Sequence, residues 1–209
     1  MQEFLVFLCS MDSYCYIPFP DWLVKADRQL FEYINSGFAN NFFDDIMPVM
    51  RNPFFWGPLY LFIVAFAIIN FKKSVWWWLA FFLAVVACAD LVGARLFKET
   101  FERLRPCNDP EMLGKVRMVL GRCSGGFSFV SNHAINHFAV ATFLYTTLSS
   151  YIKYAWVLFI WAAIIGFAQI YVGVHYPFDV LCGSLLGILI GSLGGYLFKK
   201  NFGFTIFDK

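Results

Sequence analysis

The chain has 209 residues, of which 60% are hydrophobic and only 14% charged, and it contains 27 Phe and 7 Trp. A soluble domain of this size could not bury so much apolar surface, which predicts that lipid surrounds much of the chain. The net charge of +2 gives no sign of the basic surface that binds nucleic acids. The six cysteines show no Cys-x-x-Cys spacing, so neither a zinc ribbon nor a redox motif is indicated.

Residues 1–52 mix apolar and polar side chains and contain no run long enough to span a bilayer. The chain starts without the basic residues and the small-residue cleavage site of a secretory signal, and the short apolar stretch Met1–Cys9 has no assigned role. Within 27–35, apolar side chains recur at helical spacing opposite a polar face: Leu30, Phe31 and Ile34. We expect an amphipathic helix here that lies on the membrane surface or packs on the helical bundle.

Five apolar segments follow within 53–200, each near the ~20 residues that a bilayer requires. The predicted spans are 54–71, 75–97, 134–150, 155–174 and 178–197. Tryptophans at the start of the second span suit the membrane interface. The last span contains glycines that favour close helix packing: Gly183, Gly187, Gly191, Gly194 and Gly195. The sequence therefore predicts an all-α polytopic transmembrane bundle with five or six membrane helices, an active-site loop at 98–130 and a tail at 201–209.

Two charged residues near the end of the second predicted span, Asp90 and Arg95, would be costly in lipid and are expected to face protein or water. Pairing with each other or with neighbouring polar groups is the favoured interpretation. Successive crossings of the bilayer place the basic loop 98–130, His133 and His175 on one membrane face. The opposite face receives the lysines that end the other segments: Lys72, Lys73, Lys153, Lys199 and Lys200.

The loop begins with two cations seven residues apart, Lys98 and Arg105. If this stretch is helical, both lie on one face, two turns apart. Two cations at a membrane edge can hold an anion between them, Arg through its planar fork and Lys as a point charge. The alternative is a pair of interfacial side chains that extend from the apolar region toward water.

A second polar motif, Ser131-Asn132-His133, opens the third predicted span. Ser131 is a good N-cap, and the free backbone N–H groups that follow form an anion site. His133 in this turn could protonate a leaving oxygen. His133 and His137 are also spaced as a metal pair, but no third ligand has a recognisable spacing, so no metal site is predicted.

His175 and Asp179 lie four residues apart between the fourth and fifth predicted spans, with Pro177 between them. Pro suits the first turn of a helix, and an Asp there interacts favourably with the helix dipole. A carboxylate at this spacing can also accept the Nδ1–H of the His ring, which leaves Nε2 free as a nucleophile or base. Taken alone, the pair is equally compatible with a helix cap beside an interfacial His.

Together, the three motifs resemble those of the type 2 phosphatidic acid phosphatase family, which is related in fold to the vanadium haloperoxidases. The family pattern is Lys, six residues and Arg-Pro; then Pro-Ser-Gly-His; then Ser-Arg, five residues, His, three residues and Asp. The first motif is complete in residues 98–106. The second, at 130–133, reads Val-Ser-Asn-His, and the third, at 168–179, has Ala-Gln in place of Ser-Arg. Their order and spacing agree over roughly residues 95–190.

The resemblance implies a membrane lipid-phosphate phosphatase that works through a phosphohistidine and needs no metal or other cofactor. His175 is the implied nucleophile, Asp179 holds its ring, and His133 protonates the leaving oxygen. Phosphoryl transfer depends mainly on positioning and on stabilisation of charge, which cations and backbone amides supply. The implied phosphate-binding positions are Lys98, Arg105, Ser131, Asn132 and residue 169, here Gln169.

Gln169 departs from the family, which has an Arg at this position to hold the phosphate. Removing a charge-assisted contact costs ~1.5–3 kcal/mol, or roughly ten- to a hundredfold in transition-state stabilisation. The enzyme is then weakened, or another cation substitutes, or the chain binds phosphorylated lipid without hydrolysing it. Candidate substitutes are Lys115, Arg117 and Arg122. The presence of both histidines and Asp179 favours an enzyme, with a lipid phosphotransferase as a further alternative.

Resemblance to bacterial members implies a plasma-membrane (inner-membrane) protein whose site faces the periplasm or exterior. The positive-inside rule does not decide the orientation, because the site loop is as basic as the opposite face. On an exterior face, Cys107 and Cys123 could form a disulfide, and the alternative is two free thiols. The expected partner is a phosphorylated membrane lipid: undecaprenyl diphosphate, phosphatidylglycerol phosphate, phosphatidate or a lipid A phosphate. The sequence leaves the choice among them, and the oligomeric state, open.

Overall fold

The structure is a computed structural model that describes residues 19–71 and 73–204. All regular secondary structure in this part of the chain is helical, as predicted. Several predicted features lie outside the described residues. They are the first part of the N-terminal segment with its apolar stretch Met1–Cys9, the basic residue Lys72, and most of the C-terminal tail, 205–209.

Two helices precede the bundle. Helix α1 (Asp21–Glu32) continues as a π-helical turn at Tyr33–Gly37, and helix α2 (Asn41–Met50) begins at Asn40, whose side chain accepts a hydrogen bond from the amide of Phe43. The bundle starts with a 3₁₀ turn at Pro53–Trp56 that leads into α3 (Gly57–Asn70). Helices α1 and α2 lie within residues 1–52, the segment predicted as N-terminal and interfacial.

The remaining helices alternate in direction through the bundle. Helix α4 (Ser74–Leu91) continues as a π-helical segment at Val92–Phe97 and then as the single turn α5 (Lys98–Phe101). After the long loop come three further helices: α6 (Asn132–Leu148), α7 (Val157–Tyr171) and α8 (Pro177–Asn201).

Three helical stretches of the described chain are long and apolar enough to cross a membrane: Pro53–Asn70, Ser74–Met112 and Pro177–Asn201. Helices α6 and α7 have 17 and 15 residues, which corresponds to ~22–26 Å at 1.5 Å per residue. Large apolar side chains on the outer surface remain exposed, among them Leu61, Leu83 and Leu189 at 73%, 65% and 64%. Lipid is the solvent that fits such a surface. The helical membrane bundle is confirmed, and the count of five spans stays a prediction.

The core of the bundle is the contact between α6 and α8, which the glycines of α8 make possible. A Cβ added at Gly187 would lie 2.4 Å from the carbonyl oxygen of Ile135, and one at Gly191 would lie 2.4 Å from that of Ala139. Only a residue without a side chain allows the two backbones to approach this closely. The predicted role of these glycines in close packing is thus seen directly, and it brings the first turns of α6 and α8 together.

The predicted amphipathic helix packs on the bundle. Phe31 is fully buried against Tyr176, whereas Leu30 remains 48% exposed. The helix begins at Asp21, six residues earlier than the predicted stretch at 27–35, because Pro20 and Asp21 suit a helix start. Helix α1 therefore covers the end of the bundle where α8 begins.

The condition for Lys98 and Arg105 to share one helix face is not met. The helix ends at Phe101, so only the first turn of the stretch from Lys98 to Arg105 is helical. Glu102 adopts a left-handed backbone conformation with φ of 43°, and the chain then turns away from the axis of α4. Both cations nevertheless reach the same site, by separate routes.

Asp90, near the end of α4, pairs with neighbouring polar groups as favoured. Its carboxylate accepts hydrogen bonds from the side-chain amides of Asn132, at 3.1 Å, and Asn136, at 3.3 Å. Among the described residues it forms no ion pair with Arg95. The contact joins α4 to the first two turns of α6.

Candidate active site

The first turns of α6 and α8 lie side by side at one end of the bundle. The backbone amide of Ser131 donates to the carbonyl of Asp179 over 3.2 Å, which fixes the second and third motifs against each other. The basic loop folds back over both, and a disulfide joins Cys107 to Cys123 within it, with 5.8 Å between the Cα atoms. All three motifs therefore meet at one end, as the sequence predicted.

A tight turn after α7 presents His175. The backbone amides of Val174 and His175 both donate to the carbonyl of Gln169, over 3.2 and 3.3 Å. Gly173 has φ of 89°, a conformation that residues with a side chain rarely adopt, and an added Cβ would lie 3.1 Å from the carbonyl of Arg117. The turn leaves the His175 ring only 3% exposed at the centre of the site.

Arg105 contacts the ring nitrogen of His175 that would react. Its Nη1 lies 3.1 Å from Nε2 of His175 and also donates to the carbonyl of Val174 over 3.0 Å. A guanidinium has only donors, so Nε2 must be the acceptor and the proton of the neutral ring must lie on Nδ1. The contact therefore fixes the tautomer that leaves a lone pair on Nε2.

The carboxylate of Asp179 is fully buried behind the His175 ring. One of its oxygens, Oδ1, accepts from Nη1 of Arg103 over 2.6 Å. The other, Oδ2, accepts from the hydroxyl of Ser128 and from the backbone amide of Tyr176, and lies 3.6 Å from Nδ1 of His175. Asp179 thus lies beside the His175 ring and also caps α8, while the Ser128 hydroxyl, 3.4 Å from Nδ1, is the hydrogen-bond partner of the ring on this side. The two interpretations of this motif are compatible.

His175 is held in its neutral form. Burial lowers the pKa of the imidazole to about 4, although the Asp179 carboxylate, 3.6 Å from Nδ1, favours the protonated ring. Arg105 and Lys98 act in the same direction as burial, because a nearby positive charge disfavours protonation. The Nε2 lone pair is therefore available throughout the neutral pH range.

Arg103 and Ser128 both donate hydrogen bonds to the carboxylate of Asp179 behind His175. The sequence did not single out either residue. Arg103 bridges two buried carboxylates: Nη1 donates to Asp179, and Nη2 donates to Asp27 of α1 over 2.6 Å. Its guanidinium also lies over the ring of Tyr176, 4.3 Å from the centroid. Burial raises the pKa of Asp27 above its ordinary value, while the charge of Arg103 opposes this shift. Helix α1 is thereby connected to the carboxylate behind His175.

His133 lies in the first turn of α6, where the Ser131 hydroxyl caps the helix by accepting from the amide of Ala134 over 3.5 Å. It lies close enough to His175 and Lys98 for their charges to interact. His137 lies one turn further along, with Nδ1 2.7 Å from the carbonyl of His133. Within the described residues, no group of three His, Cys, Asp or Glu side chains could hold a metal ion.

The remaining predicted phosphate ligands differ in their surroundings. Lys98 lies close enough to Arg105 and Asp179 for electrostatic interaction. Asn132 follows the Ser131 cap, and its side chain points to Asp90, which leaves its backbone amide as the candidate ligand. Gln169 is fully buried, and neither polar atom of its amide has a partner in the described part of the chain.

Comparison with known proteins agrees with this geometry. The chain is 31% identical over 185 residues to the lipid A 4'-phosphatase of Bacteroides thetaiotaomicron, which covers 85% of this chain and 77% of that protein. It is 26% identical over 176 residues to the lipid A 4'-phosphatase of Porphyromonas gingivalis, with 82% and 72% covered. A shorter match, 40% identical over 68 residues, links it to the undecaprenyl-diphosphatase of Sulfolobus acidocaldarius.

Solved structures share the fold. The PAP2-type phosphatidylglycerolphosphate phosphatase of Bacillus subtilis matches with a TM-score of 0.66 and 24% identity, over 96% of this chain and 94% of that one. The LpxE protein of Aquifex aeolicus matches with a TM-score of 0.57 and 23% identity, over 80% and 93%. The family model of the PAP2 superfamily matches residues 75–202, more than half of the chain. The chain belongs to the PAP2 superfamily and is a membrane lipid phosphatase of the PAP2 type.

Proposed function

We propose that this enzyme hydrolyses the phosphate monoester of a lipid A-type glycolipid through a phosphohistidine formed on His175. The contact of Arg105 with Nε2 of His175 carries the proposal, because it directs the lone pair of a neutral ring at a cation in a buried pocket, where a phosphate would bind. The lipid A 4'-phosphatases support the choice of substrate, since they match over 77% and 72% of their length. The undecaprenyl-diphosphatase match covers only 32% of that protein.

In the first step, Nε2 of His175 attacks the phosphorus and the bond to the sugar oxygen breaks. Arg105 moves from Nε2 to a phosphate oxygen, which exposes the lone pair at the moment the substrate arrives. Burial and the charge of Arg51 lower the pKa of His133 to about 3 in the substrate-free site. The negative charge of a bound phosphate opposes this shift, and the protonated ring then donates to the leaving sugar oxygen. Asp179 stabilises the positive charge that develops on the ring of His175, through Nδ1.

In the second step, water attacks the phosphorus and the bond to Nε2 breaks. His133, neutral after the first step, accepts a proton from this water and is ready for the next cycle. The products are inorganic phosphate and the free hydroxyl of the lipid. Lys98, Arg105, Ser131 and the backbone amide of Asn132 stabilise the phosphate oxygens in both steps.

We further propose that the site opens to the periplasmic or exterior face of the bacterial inner membrane. The Cys107–Cys123 disulfide next to Arg105 supports this orientation, because disulfides persist in oxidising compartments. A site at this edge suits a substrate whose acyl chains remain in the bilayer while its phosphate reaches the cations. Residues 53–200 would form the phosphatase domain, with 98–130 as its site loop.

The test is phosphate release in detergent with EDTA present, using purified wild type and His175→Ala. The substrate panel comprises lipid A, undecaprenyl diphosphate, phosphatidylglycerol phosphate and phosphatidate. We expect release from lipid A that His175→Ala abolishes. We also expect an acid-labile, base-stable phosphoprotein in wild type after rapid quenching. Stronger release from another lipid of the panel would contradict the choice of substrate, and unimpaired release by His175→Ala would contradict the mechanism.

The uncharged Gln169 favours a second candidate, a phospholipid-binding protein without turnover. In that case only the Gln169→Arg variant would release phosphate, and wild type would bind the lipid unchanged. Adding a candidate acceptor lipid distinguishes hydrolysis from transfer of the phosphate to a second lipid. A phosphorylated acceptor would then appear in place of free phosphate.

A further inference from the structure

The third motif of this chain lacks a cation at the position where the family has Arg. Gln169 is fully buried in α7, and its amide brings no charge to a phosphate. A site without this cation should lose roughly ten- to a hundredfold in transition-state stabilisation. If the enzyme is not weakened to this extent, another cation must lie close to the reacting histidines.

The cations first considered as substitutes are poorly placed. Lys115 pairs with Glu32 of α1, with 3.5 Å between Nζ and the carboxylate. Arg117 donates to Asp44 of α2 over 2.6 Å and to the backbone carbonyl of Asn35. Both are therefore engaged in holding the N-terminal helices. Arg122 is exposed at a turn of the loop and is the weakest candidate for a site that excludes water.

Arg51, at the C-terminus of α2, is a further cation to consider. Met47, one turn earlier in α2, lies in the same buried apolar cluster as Ala168, the neighbour of Gln169 in α7. The carbonyl of Met50 accepts from the indole of Trp56, whose ring contacts Trp161, with the centroids 5.7 Å apart. These contacts hold the end of α2 against α7.

The positive charge of Arg51 acts on two residues of the candidate site. It lies close enough to His133 and to Arg105 for electrostatic interaction. No ion pair of the described residues includes Arg51, and its buried Nε has no hydrogen-bond partner among them. Two further arginines at this end, Arg103 and Arg117, are by contrast paired with carboxylates.

A partly buried guanidinium without an anion is costly, because it has lost water and gained no partner. Burial lowers the pKa of Arg51, which has the same physical cause. The cost is offset when an anion binds beside it. A phosphate held between His175 and His133 would be such an anion, and Arg can bind two of its oxygens at once.

We propose that Arg51 binds the substrate phosphate and supplies the positive charge that Gln169 does not. The proposal rests on the proposed phosphatase function for its substrate, but concerns a residue outside all three motifs. The position of the cation has moved from α7 to the end of α2, while the number of cations around the phosphate is kept at three: Lys98, Arg105 and Arg51.

A cation at position 51 and a cation at position 169 should then be able to replace each other. Removing the charge at 51 and restoring Arg at 169 should rebuild a three-cation site. Adding Arg at 169 while Arg51 remains should bring little gain, because two guanidinium groups would compete for the same oxygens. Substitutions that act on one shared ligand are not additive, and a double-mutant cycle measures this coupling.

The experiment compares Arg51→Gln, Arg51→Lys, Gln169→Arg and Arg51→Gln/Gln169→Arg with wild type and His175→Ala, as full-length protein in detergent. Arg122→Gln is the matched control, since it removes an exposed Arg of the site loop. Two quantities are measured: kcat/KM for release from lipid A, and the rise in unfolding temperature caused by inorganic phosphate. The second reports anion binding without turnover, because a ligand of the folded state stabilises it.

We expect Arg51→Gln to lower kcat/KM by roughly ten- to a hundredfold and to reduce the stabilisation by phosphate. Arg51→Lys should lose less, Arg122→Gln should match wild type, and the double variant should recover most of the loss. Arg51→Lys keeps the test informative if Arg51→Gln fails to fold. Unchanged kcat/KM in Arg51→Gln would overturn the proposal, and so would a loss that leaves stabilisation by phosphate intact and that Gln169→Arg does not reverse.

Failure of the proposed function has a different signature. If wild type and His175→Ala release phosphate at the same rate, the phosphohistidine proposal fails whatever Arg51 does. The effect of inorganic phosphate on the unfolding temperature still tests Arg51 in that case. Wild-type release that depends on His175 but not on Arg51 would retain the proposed function and reject only this inference.

Discussion

The two ends of the bundle are held together by different chemistry. At the site end, a buried bridge from Asp27 through Arg103 to Asp179 joins α1 and the loop to α8, and a disulfide closes the loop on itself. At the opposite end, aromatic rings from four segments form one cluster, in which Phe71 stacks on Phe204 with 3.7 Å between centroids. Its other members are Trp78, Tyr151 and Phe198.

The difference follows from what each end has to do. A site for a phosphate needs cations, and cations that do not contact the substrate must be paired with carboxylates to be buried. The opposite end binds nothing in the proposed mechanism, so apolar contacts are sufficient for its stability. The site end should therefore respond to loss of a charge, to reduction and to acid, whereas the aromatic end should respond only to loss of packing.

The largest effect on stability is expected from Arg103→Met. The substitution leaves Asp27 and Asp179 buried without their cation, and breaking a buried ion pair in this way typically costs ~3–5 kcal/mol. Thermal unfolding in detergent measures the loss, and activity should fall with it because Asp179 holds His175. Arg122→Met, an exposed matched control, should stay within ~0.5 kcal/mol of wild type. A comparably small loss in Arg103→Met would show that the bridge is not structural.

Removing the disulfide is expected to have the next largest effect. Cys107 and Cys123 are separated by 16 residues, and closing a loop of this length contributes about 3 kcal/mol in the chain-entropy model. Cys107→Ser/Cys123→Ser should therefore unfold at a lower temperature than wild type, and a reducing agent should affect only wild type. Cys88→Ser is the control, because Cys88 is a free cysteine. Alkylation of both loop cysteines in unreduced protein would contradict the bond.

Site residues that lie a few positions apart could be predicted from their spacing in the sequence. Residues whose partners are distant in the sequence could not. His175 and Asp179 lie four residues apart, so a pattern along the chain predicts them, and the structure places them together. Arg103 and Asp179 are 76 residues apart, and no local signal marks one of several loop arginines as the partner of a buried carboxylate. Arg51 is still harder to predict, because its importance depends on how α2 packs against α7.

The same distinction explains the fold. Hydropathy predicted the helical segments, and glycine spacing predicted their close packing, because both are properties of a single segment. The helix break at Glu102 carries no Gly or Pro, so the sequence left open whether the helix continues to Arg105. The break arises from the contacts of the following residues, where Arg103 donates to carboxylates of α1 and α8. Only the assembled bundle contains that information.

Acid should weaken the site end through His175. The pKa of this ring is about 4 in the folded protein and ~6.5 when unfolded, so the unfolded chain binds more protons between these values. The contribution of His175 to stability is thus complete above pH 6.5 and is lost as pH falls toward 4; at pH 5 the loss is about 2 kcal/mol. Unfolding temperatures at pH 7.5 and 5 should therefore differ less in His175→Gln than in wild type. Equal differences would contradict a neutral, buried His175.

The smallest effect is expected at the aromatic end, from Trp78→Phe. The buried indole of Trp78 donates to the hydroxyl of Thr147 over 3.0 Å. The variant loses this bond and some packing, but the hydroxyl still donates to the carbonyl of Phe143. We expect a loss of about 1–2 kcal/mol at both pH values, with kcat/KM unchanged. Trp76→Phe, at an exposed neighbouring position, should match wild type in stability. A fall in kcat/KM in folded Trp78→Phe would mean that the aromatic end is coupled to the site, which the separate chemistry of the two ends argues against.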